Sequence, residues 1–259
     1  MKRALVTGAG KRLGRAMALY LAGRGFDVAL HYGGSGEETE AVAAEIHALG
    51  RKAVPLQADF LYEAQVQALF PRAVEALGGP VACLVNNASI FEYDTVQSAT
   101  RESWDRHLES NLRAPFVLTQ AMAGQGLKPG RNARGEQVAA GLVVNMIDQR
   151  VKKLTPEFMT YTIAKMGLWA MTRTTAQALA PAIRVNAIGP GPTLQGARQS
   201  ADHFARQRAA TVLERGADPE DITAALGYFL DAPAVTGQLL CVDGGQHLGW
   251  RTTDVLGVE

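Results

Sequence analysis

Only two cysteines, Cys83 and Cys241, occur in 259 residues, which excludes a disulfide framework and a thiolate zinc site and suits a reducing compartment. Both read as structural thiols, and no metal is expected. No run reaches eighteen consecutive apolar residues, and the start MKRALVTGAG holds too short an apolar stretch for a signal peptide, so a cytoplasmic protein without a membrane partner is expected. Charge of one sign is also lacking. The formal net charge is +1, from 26 basic and 25 acidic residues, so no broad field attracts nucleic acid. Small molecules are the expected partners. Repeats, low-complexity tracts and interdomain linkers are absent too, and residues 1–259 read as one domain.

What the chain does have is a regular alternation. Apolar runs of strand length at Ala4–Val6, Asp27–His31, Ala53–Gln57, Cys83–Asn86, Leu142–Met146, Arg184–Ala187 and Leu239–Val242 are separated by longer stretches at helical spacing. The helical stretches are Leu13–Gly23, Glu37–Leu49, Glu63–Leu77, Arg101–Ala123, Phe158–Leu179 and Ile222–Leu230. This rhythm predicts an α/β fold of Rossmann type, a doubly wound, seven-stranded parallel sheet with helices on both faces. The Gly-rich, basic segment at 125–138, with Lys128, Arg131 and Arg134, reads as an exposed loop insertion. The polar segment Pro192–Gly216 reads as a mobile substrate lid.

Two stretches carry chemistry. The first strand runs into Thr7, Gly8, Ala9, Gly10, Lys11, Arg12, Leu13, Gly14 and then a helix, the context in which a glycine turn presents helix amides to phosphate. Without that context the turn would be only a sharp connection. The second stretch is YTIAK, Tyr161 to Lys165, which sets a phenol and an ammonium on one helical face. The cation is expected to lower the tyrosine pKa and so ease proton delivery to a carbonyl or imine. An isolated match of this kind also describes a surface lysine one turn beyond a half-buried tyrosine; the accompanying motifs argue otherwise.

Together TGAGKRLG, NNAS, Asn111, YTIAK and the IGPG run from Ile188 to Gly191 resemble, in order and spacing, the short-chain dehydrogenase/reductase family over almost the whole chain. The resemblance implies hydride transfer between a nicotinamide dinucleotide and a carbonyl, alcohol or imine. Arg12 stands where the family commonly has a glycine, and Asp148 where it has a catalytic serine thirteen residues before the tyrosine. Both departures resemble the pteridine reductase and dihydromonapterin or dihydrofolate reductase branch. So do KRLGR at Lys11 to Arg15, His31 and Tyr32 followed by Ser35, NNASxF ending at Phe91, and NMID ending at Asp148. In that branch an aromatic at the position of Phe91 stacks on the pterin; otherwise Phe91 is a core residue after the fourth strand. Phe158 is a further candidate for the pocket wall.

The resemblance also implies the remaining site residues. Asn111 would hold a water linking Lys165 to solvent, Lys165 would bond the nicotinamide ribose, and Asn87, Ala88, Pro190 and Gly191 would border the cofactor. Gly8, Lys11, Arg12, Leu13 and His31 complete the cofactor-binding set, and Arg12 also belongs to the substrate-binding one. Asp59 would contact adenine, or else cap the next helix. Ser89 would touch phosphate or pterin, or else close a local turn. No carboxylate follows the second strand before Glu37, and Arg12 and Ser35 are placed for a 2′-phosphate, so NADPH is favoured over NADH. Gly34 replaces the basic residue usual in that branch, which weakens discrimination. Tyr161, tuned by Lys165, would manage the proton, with Asp148 relaying it or accepting hydrogen bonds from the pterin amino groups. His203, Arg198 and Arg206 on the lid would meet an acidic tail, or are simply solvated. The family's helix contacts at Arg101 and Phe158 imply a homotetramer. The alternatives are a reductase of another carbonyl, such as a 3-oxoacyl or sugar ketone, and a non-catalytic dinucleotide sensor.

Overall fold

A computed structural model of the chain describes residues 2–196 and 199–251, so Arg198 and the tail beyond Arg251 lie outside the described residues. The main sheet contains β1 (Lys2–Val6), β2 (Phe26–Tyr32), β3 (Ala53–Gln57), β4 (Cys83–Asn86), β5 (Gly141–Met146), β6 (Ile183–Pro190) and β7 (Leu239–Val242). All pairings are parallel, in the spatial order β3-β2-β1-β4-β5-β6-β7. The order reverses between β1 and β4. The crevice beyond their carboxyl ends is where an open α/β sheet binds ligands.

Period-two patterning builds two cores. Ala4 and Val6 face one side with α1 (Arg12–Gly23), α2 (Gly36–Ala48) and α8 (Pro219–Asp231), whereas Leu5 faces the other with α3 (Glu63–Leu77), α5 (Ala114–Gly124) and α6 (Met159–Leu179). Phe229 and Phe70, both fully or nearly fully buried, anchor the two layers. Side chains of this size contribute about 1.5–3 kcal/mol each on burial.

The structure departs from the expected elements in four places. The helix predicted over Arg101–Ala123 is α4 (Arg101–Leu108) joined to α5 by a π turn, Glu109–Arg113. The predicted lid contains a helix, α7 (Ala201–Ala209), capped by Ser200. The insertion closes as a short hairpin, Gly130–Arg131 against Gln137–Val138, with Gln125 tied to the Val81 backbone. β6 continues to Pro190 and carries the IGP run in the sheet.

The turn after β1 is held from three sides. Gly8 has φ +63°, which glycine adopts without strain, and the β-carbon of an alanine at Gly14 would fall 1.9 Å from the Gly8 carbonyl oxygen. The Thr7 hydroxyl accepts hydrogen bonds from the Asn87 and Ala88 amides at 2.8 and 2.9 Å, and the Asn87 side chain donates to the Thr7 and Gly8 carbonyls. Beneath the loop, Gly8 N–H donates to His31 Nδ1 at 3.2 Å, so Nε2 carries the ring proton and donates to the Ala58 carbonyl at 2.9 Å. His31 is 2% exposed and stacks on Phe60. Its expected contact with cofactor is therefore joined by a supporting role, because both ring nitrogens are spent on the backbone. Burial pushes its pKa down to about 4.

Two outcomes follow from this turn. Gly14→Ala forces a clash with backbone that no side-chain rotation relieves; it should cost about 1–3 kcal/mol of stability, read as a lower urea midpoint at unchanged slope. Between pH 6.5 and about 4 the unfolded chain binds a proton at His31 that the folded chain refuses. Stability is thus intact above that window and falls through it, by at most about 3 kcal/mol. Urea titrations at pH 7 and 4.5 should show a smaller pH effect in His31→Asn than in the wild type; equal slopes would reject the assignment.

Candidate active site

Helix α6 carries Tyr161 and Lys165, and its first turn is fixed from elsewhere in the chain. Phe158, in its capping position, has φ +54° and no side-chain cap. The cap comes from the loop after β4, where the Asp94 carboxylate accepts the Thr160 amide at 3.1 Å and the Thr160 hydroxyl, and the Asp94 carbonyl accepts the Met159 amide. His107 on α4 bonds Thr160 Oγ1 through Nδ1 at 2.6 Å and accepts the Glu92 amide through Nε2 at 3.1 Å. Further along, Asn86 bonds Asn145 and Asn145 bonds Thr172, a buried ladder that ties α6 to β4 and β5. A buried polar network of this kind specifies one arrangement of its helices.

Tyr161 is 5% exposed, and its hydroxyl donates to Asp148 Oδ2 at 3.0 Å. The other carboxylate oxygen accepts the Arg150 amide at 2.8 Å, so Asp148 also caps the short 3₁₀ turn Gln149–Lys152. Lys165 is 3% exposed; its ammonium donates to the Met146 carbonyl at 2.8 Å and lies 5.6 Å from the centre of the Tyr161 ring. Burial raises the Asp148 pKa above the ordinary carboxylate value. Burial also lowers Lys165 to about 8. Tyr161 departs from the sequence expectation. Burial and the adjacent Asp148 charge drive the phenol well above 10, and the lowering pulls come from Arg150 and Ser89. The lysine sits on the ring face with its proton committed to a carbonyl, which explains why it does not dominate. The phenol therefore stays protonated at neutral pH and is a donor in waiting.

An aromatic wall stands beside this pair. Phe91 lies edge-on to Tyr161 with centroids 4.7 Å apart, and Phe158 stacks on Phe91 at 4.3 Å. Phe91 keeps 43% of its surface exposed, which makes it a platform rather than a core residue. Tyr93 packs edge-on against Phe158, and the Arg150 guanidinium lies 5.0 Å from the Phe158 ring centre. Asn111 sits on the π turn, fully buried, where Oδ1 accepts the Ile90 amide and Nδ2 donates to the Ile90 carbonyl, both at 2.8 Å. It thereby braces the loop that bears Phe91. Ser89 makes the local contact expected as its alternative, donating to the Ile90 carbonyl at 3.3 Å.

The dinucleotide side is a crevice at the β1/β4 switch. A cavity of about 170 Å³ is bordered by Gly8, His31, Asp59, Ala88, Ser89 and Ser110. Asp59, which borders this cavity, accepts the Leu61 amide through Oδ1 at 3.0 Å in a local turn. Lys11, at the head of α1, offers no side-chain cap to the first helical amides. A side chain at Gly10 would meet Ser35 and Thr39, and one at Gly191 would meet Asp243 at 2.5 Å. Bare backbone, uncapped amides and an open crevice suit a pyrophosphate-bridged ligand. Leu13 packs against the core beneath. Lys11 and Arg12, both expected at the cofactor, have protein partners in this structure. Lys11 pairs with Glu38 at 2.6 Å, and Arg12, at φ +52°, donates to the Gln195 and Leu194 carbonyls at 2.6 and 2.9 Å. The Ser35 side chain makes no cap to α2. A larger cleft of about 500 Å³, bordered by Leu213, Tyr228 and Leu240, contains none of the site residues expected from the sequence.

Sequence reasoning missed Thr7, Asp94, Thr160, His107 and Arg150. Thr7 had a signal in its place beside the glycine turn; the Asp94 contacts span 66 positions and had none.

A family model described as Enoyl-(Acyl carrier protein) reductase matches residues 8–247. FolM alternative dihydrofolate reductase 1 from Brucella suis, crystallised with NADP, is 42% identical, with 98% of each chain covered and a TM-score of 0.90. A short chain dehydrogenase from Burkholderia cenocepacia, also with NADP, is 31% identical over 95% of this chain and 97% of that one, with a TM-score of 0.84. The 3-oxoacyl-[acyl-carrier-protein] reductase FabG of Staphylococcus epidermidis is 30% identical over 95% of this chain and 99% of its own. With the glycine turn, Asn111 and the Tyr161/Lys165 pair set within a match that runs nearly end to end, the chain belongs to the short-chain dehydrogenase/reductase family, NAD(P)H-dependent oxidoreductases, where it matches the pteridine and dihydrofolate reductase branch.

Proposed function

We propose that the protein is an NADPH-dependent reductase of a pterin-type substrate, taking a dihydropterin or dihydrofolate to its tetrahydro form. The observation that carries this reading is the part-buried contact between the Tyr161 hydroxyl and the Asp148 carboxylate, 3.0 Å apart, beside the exposed platform of Phe91. NADP in the FolM and Burkholderia structures supports the cofactor. Bound NADPH supplies the hydride. Gly8, Asn87, Ala88, Pro190 and Gly191 border its crevice, with Leu13 setting the helix that follows and Ser35 left as the ligand nearest a 2′-phosphate. Arg12 and Lys11 join this set on exchanging their present partners.

The residues of the chain divide the remaining labour. Phe91, backed by Phe158, presents a flat apolar face to a flat heterocycle. Tyr161 holds a phenolic proton and Asp148, with a pKa raised by burial, takes up or returns a proton on the same path. Lys165 fixes the position of the tyrosine ring, and Asn111 keeps the Phe91 loop in register while linking Lys165 toward solvent. A carboxylate here opposes a developing alkoxide unless protonated, whereas it accepts N–H bonds from a pterin well. The segment Pro192–Gly216, with α7, covers the substrate, and His203 and Arg206 are solvated on it. A cytoplasmic homotetramer completes this reading; no helix among the described residues is long and apolar enough to cross a membrane. The FabG relatives favour a second reading, reduction of a 3-oxoacyl thioester.

NADPH oxidation should be faster with dihydrobiopterin or dihydrofolate than with acetoacetyl thioesters, and faster than with NADH; the reverse order of substrates would overturn the assignment. Tyr161→Phe should lower kcat by about 10²-fold or more while NADPH affinity, followed by its fluorescence, stays within a few-fold. Asp148→Ser should lose pterin reduction and gain on ketones.

A further inference from the structure

The Arg150 guanidinium lies against the aromatic wall, 5.0 Å from the Phe158 ring centre, and the proposed reaction leaves it without a task. Its guanidinium lies against Phe158, which stacks on Phe91, so three planar groups run outward from the edge of Tyr161. Its charge reaches the reacting pair, drawing down the pKa values of both Asp148 and Tyr161. Yet the guanidinium itself forms no ion pair with a described carboxylate; its side-chain bond is to the Thr155 hydroxyl, and Nε is buried with no partner among the described residues. Backbone bonding of Arg150 to Asp148 Oδ1 fixes the root of the side chain. Lys152 and Lys153, exposed and adjacent in sequence, add positive charge to this segment, which also carries Asp148 and Glu157.

A guanidinium matches a carboxylate through two parallel N–H bonds and is weakly hydrated, so one held on an aromatic face with donors to spare is a ready anion receptor. We propose that Arg150 is the receptor for an anionic tail of the substrate, a specificity residue that makes the site prefer pterins bearing a carboxylate tail over pterins whose tail is uncharged. This rests on the pterin reading above. The ring end of such a substrate meets Phe91 and Tyr161, and the tail leaves along the aromatic wall toward Arg150.

The test compares dihydrofolate, whose tail carries carboxylates, with dihydrobiopterin, whose tail carries none, in the wild type, Arg150→Met and Arg150→Lys. Methionine keeps apolar cover on Phe158, and lysine restores charge without the fork. Arg150→Met should raise KM for dihydrofolate about tenfold or more, as loss of a charge-assisted pair does, and leave KM for dihydrobiopterin within about twofold. Any change in kcat from the lost cation near Asp148 should be shared by both substrates. Arg150→Lys should recover part of the dihydrofolate KM, and added salt should weaken dihydrofolate binding in the wild type only. Equal KM changes for the two substrates, or none, would overturn the proposal. Calorimetric titration of folate into the NADPH-loaded protein keeps the two readings apart. If the wild type reduces neither pterin, the proposed function fails, and the tail receptor then stands only if folate binds and Arg150→Met weakens it about tenfold; no binding, or equal affinity, rejects it.

Discussion

A phenol and a carboxylate held in contact set the terms for everything around them. Neither ionises readily there: burial raises both pKa values, and each charge would oppose the other. The pair is stable only while the rest of the fold holds the two groups together. Asp148 is held by the turn it caps, Tyr161 by a helix whose first amides are bonded to Asp94, and Lys165 by the Met146 carbonyl at the end of β5. The sheet thus acts on the site through backbone groups at strand ends, and few of the supporting contacts are local in sequence.

The same pair explains why aspartate in place of serine alters the chemistry expected of the site. A hydroxyl at this position would donate to a negative oxygen. A carboxylate accepts instead, and it favours a substrate rich in N–H groups. Phe91 and Phe158 fit that preference, since they supply a flat wall rather than a narrow slot for a chain.

The seven parallel strands and the pairing of Tyr161 with Lys165 were legible because they rest on short-range periodicity and on spacing along one helix. Asp148 was legible as a departure from the family pattern. The direction of the Tyr161 shift was not, because the count of nearby charges in sequence omits burial, and burial dominates. The engagement of Arg12 with the Leu194 and Gln195 carbonyls joins residues more than 180 positions apart, and no local pattern reports it. His31 shows a third case. Its supporting role, with the ring bonded to one amide above and one carbonyl below, had no signal in the local pattern.

The π turn at Glu109–Arg113 works as a phase shift between two helical segments. A regular helix would couple the orientation of α4, which presents His107 to Thr160, to that of α5, which packs Leu118 and Met122 into the core. One extra residue per turn releases that coupling and aims Asn111 inward at the point of the mismatch. Core packing and site alignment are consequently set separately, with the wider turn as the gear between them.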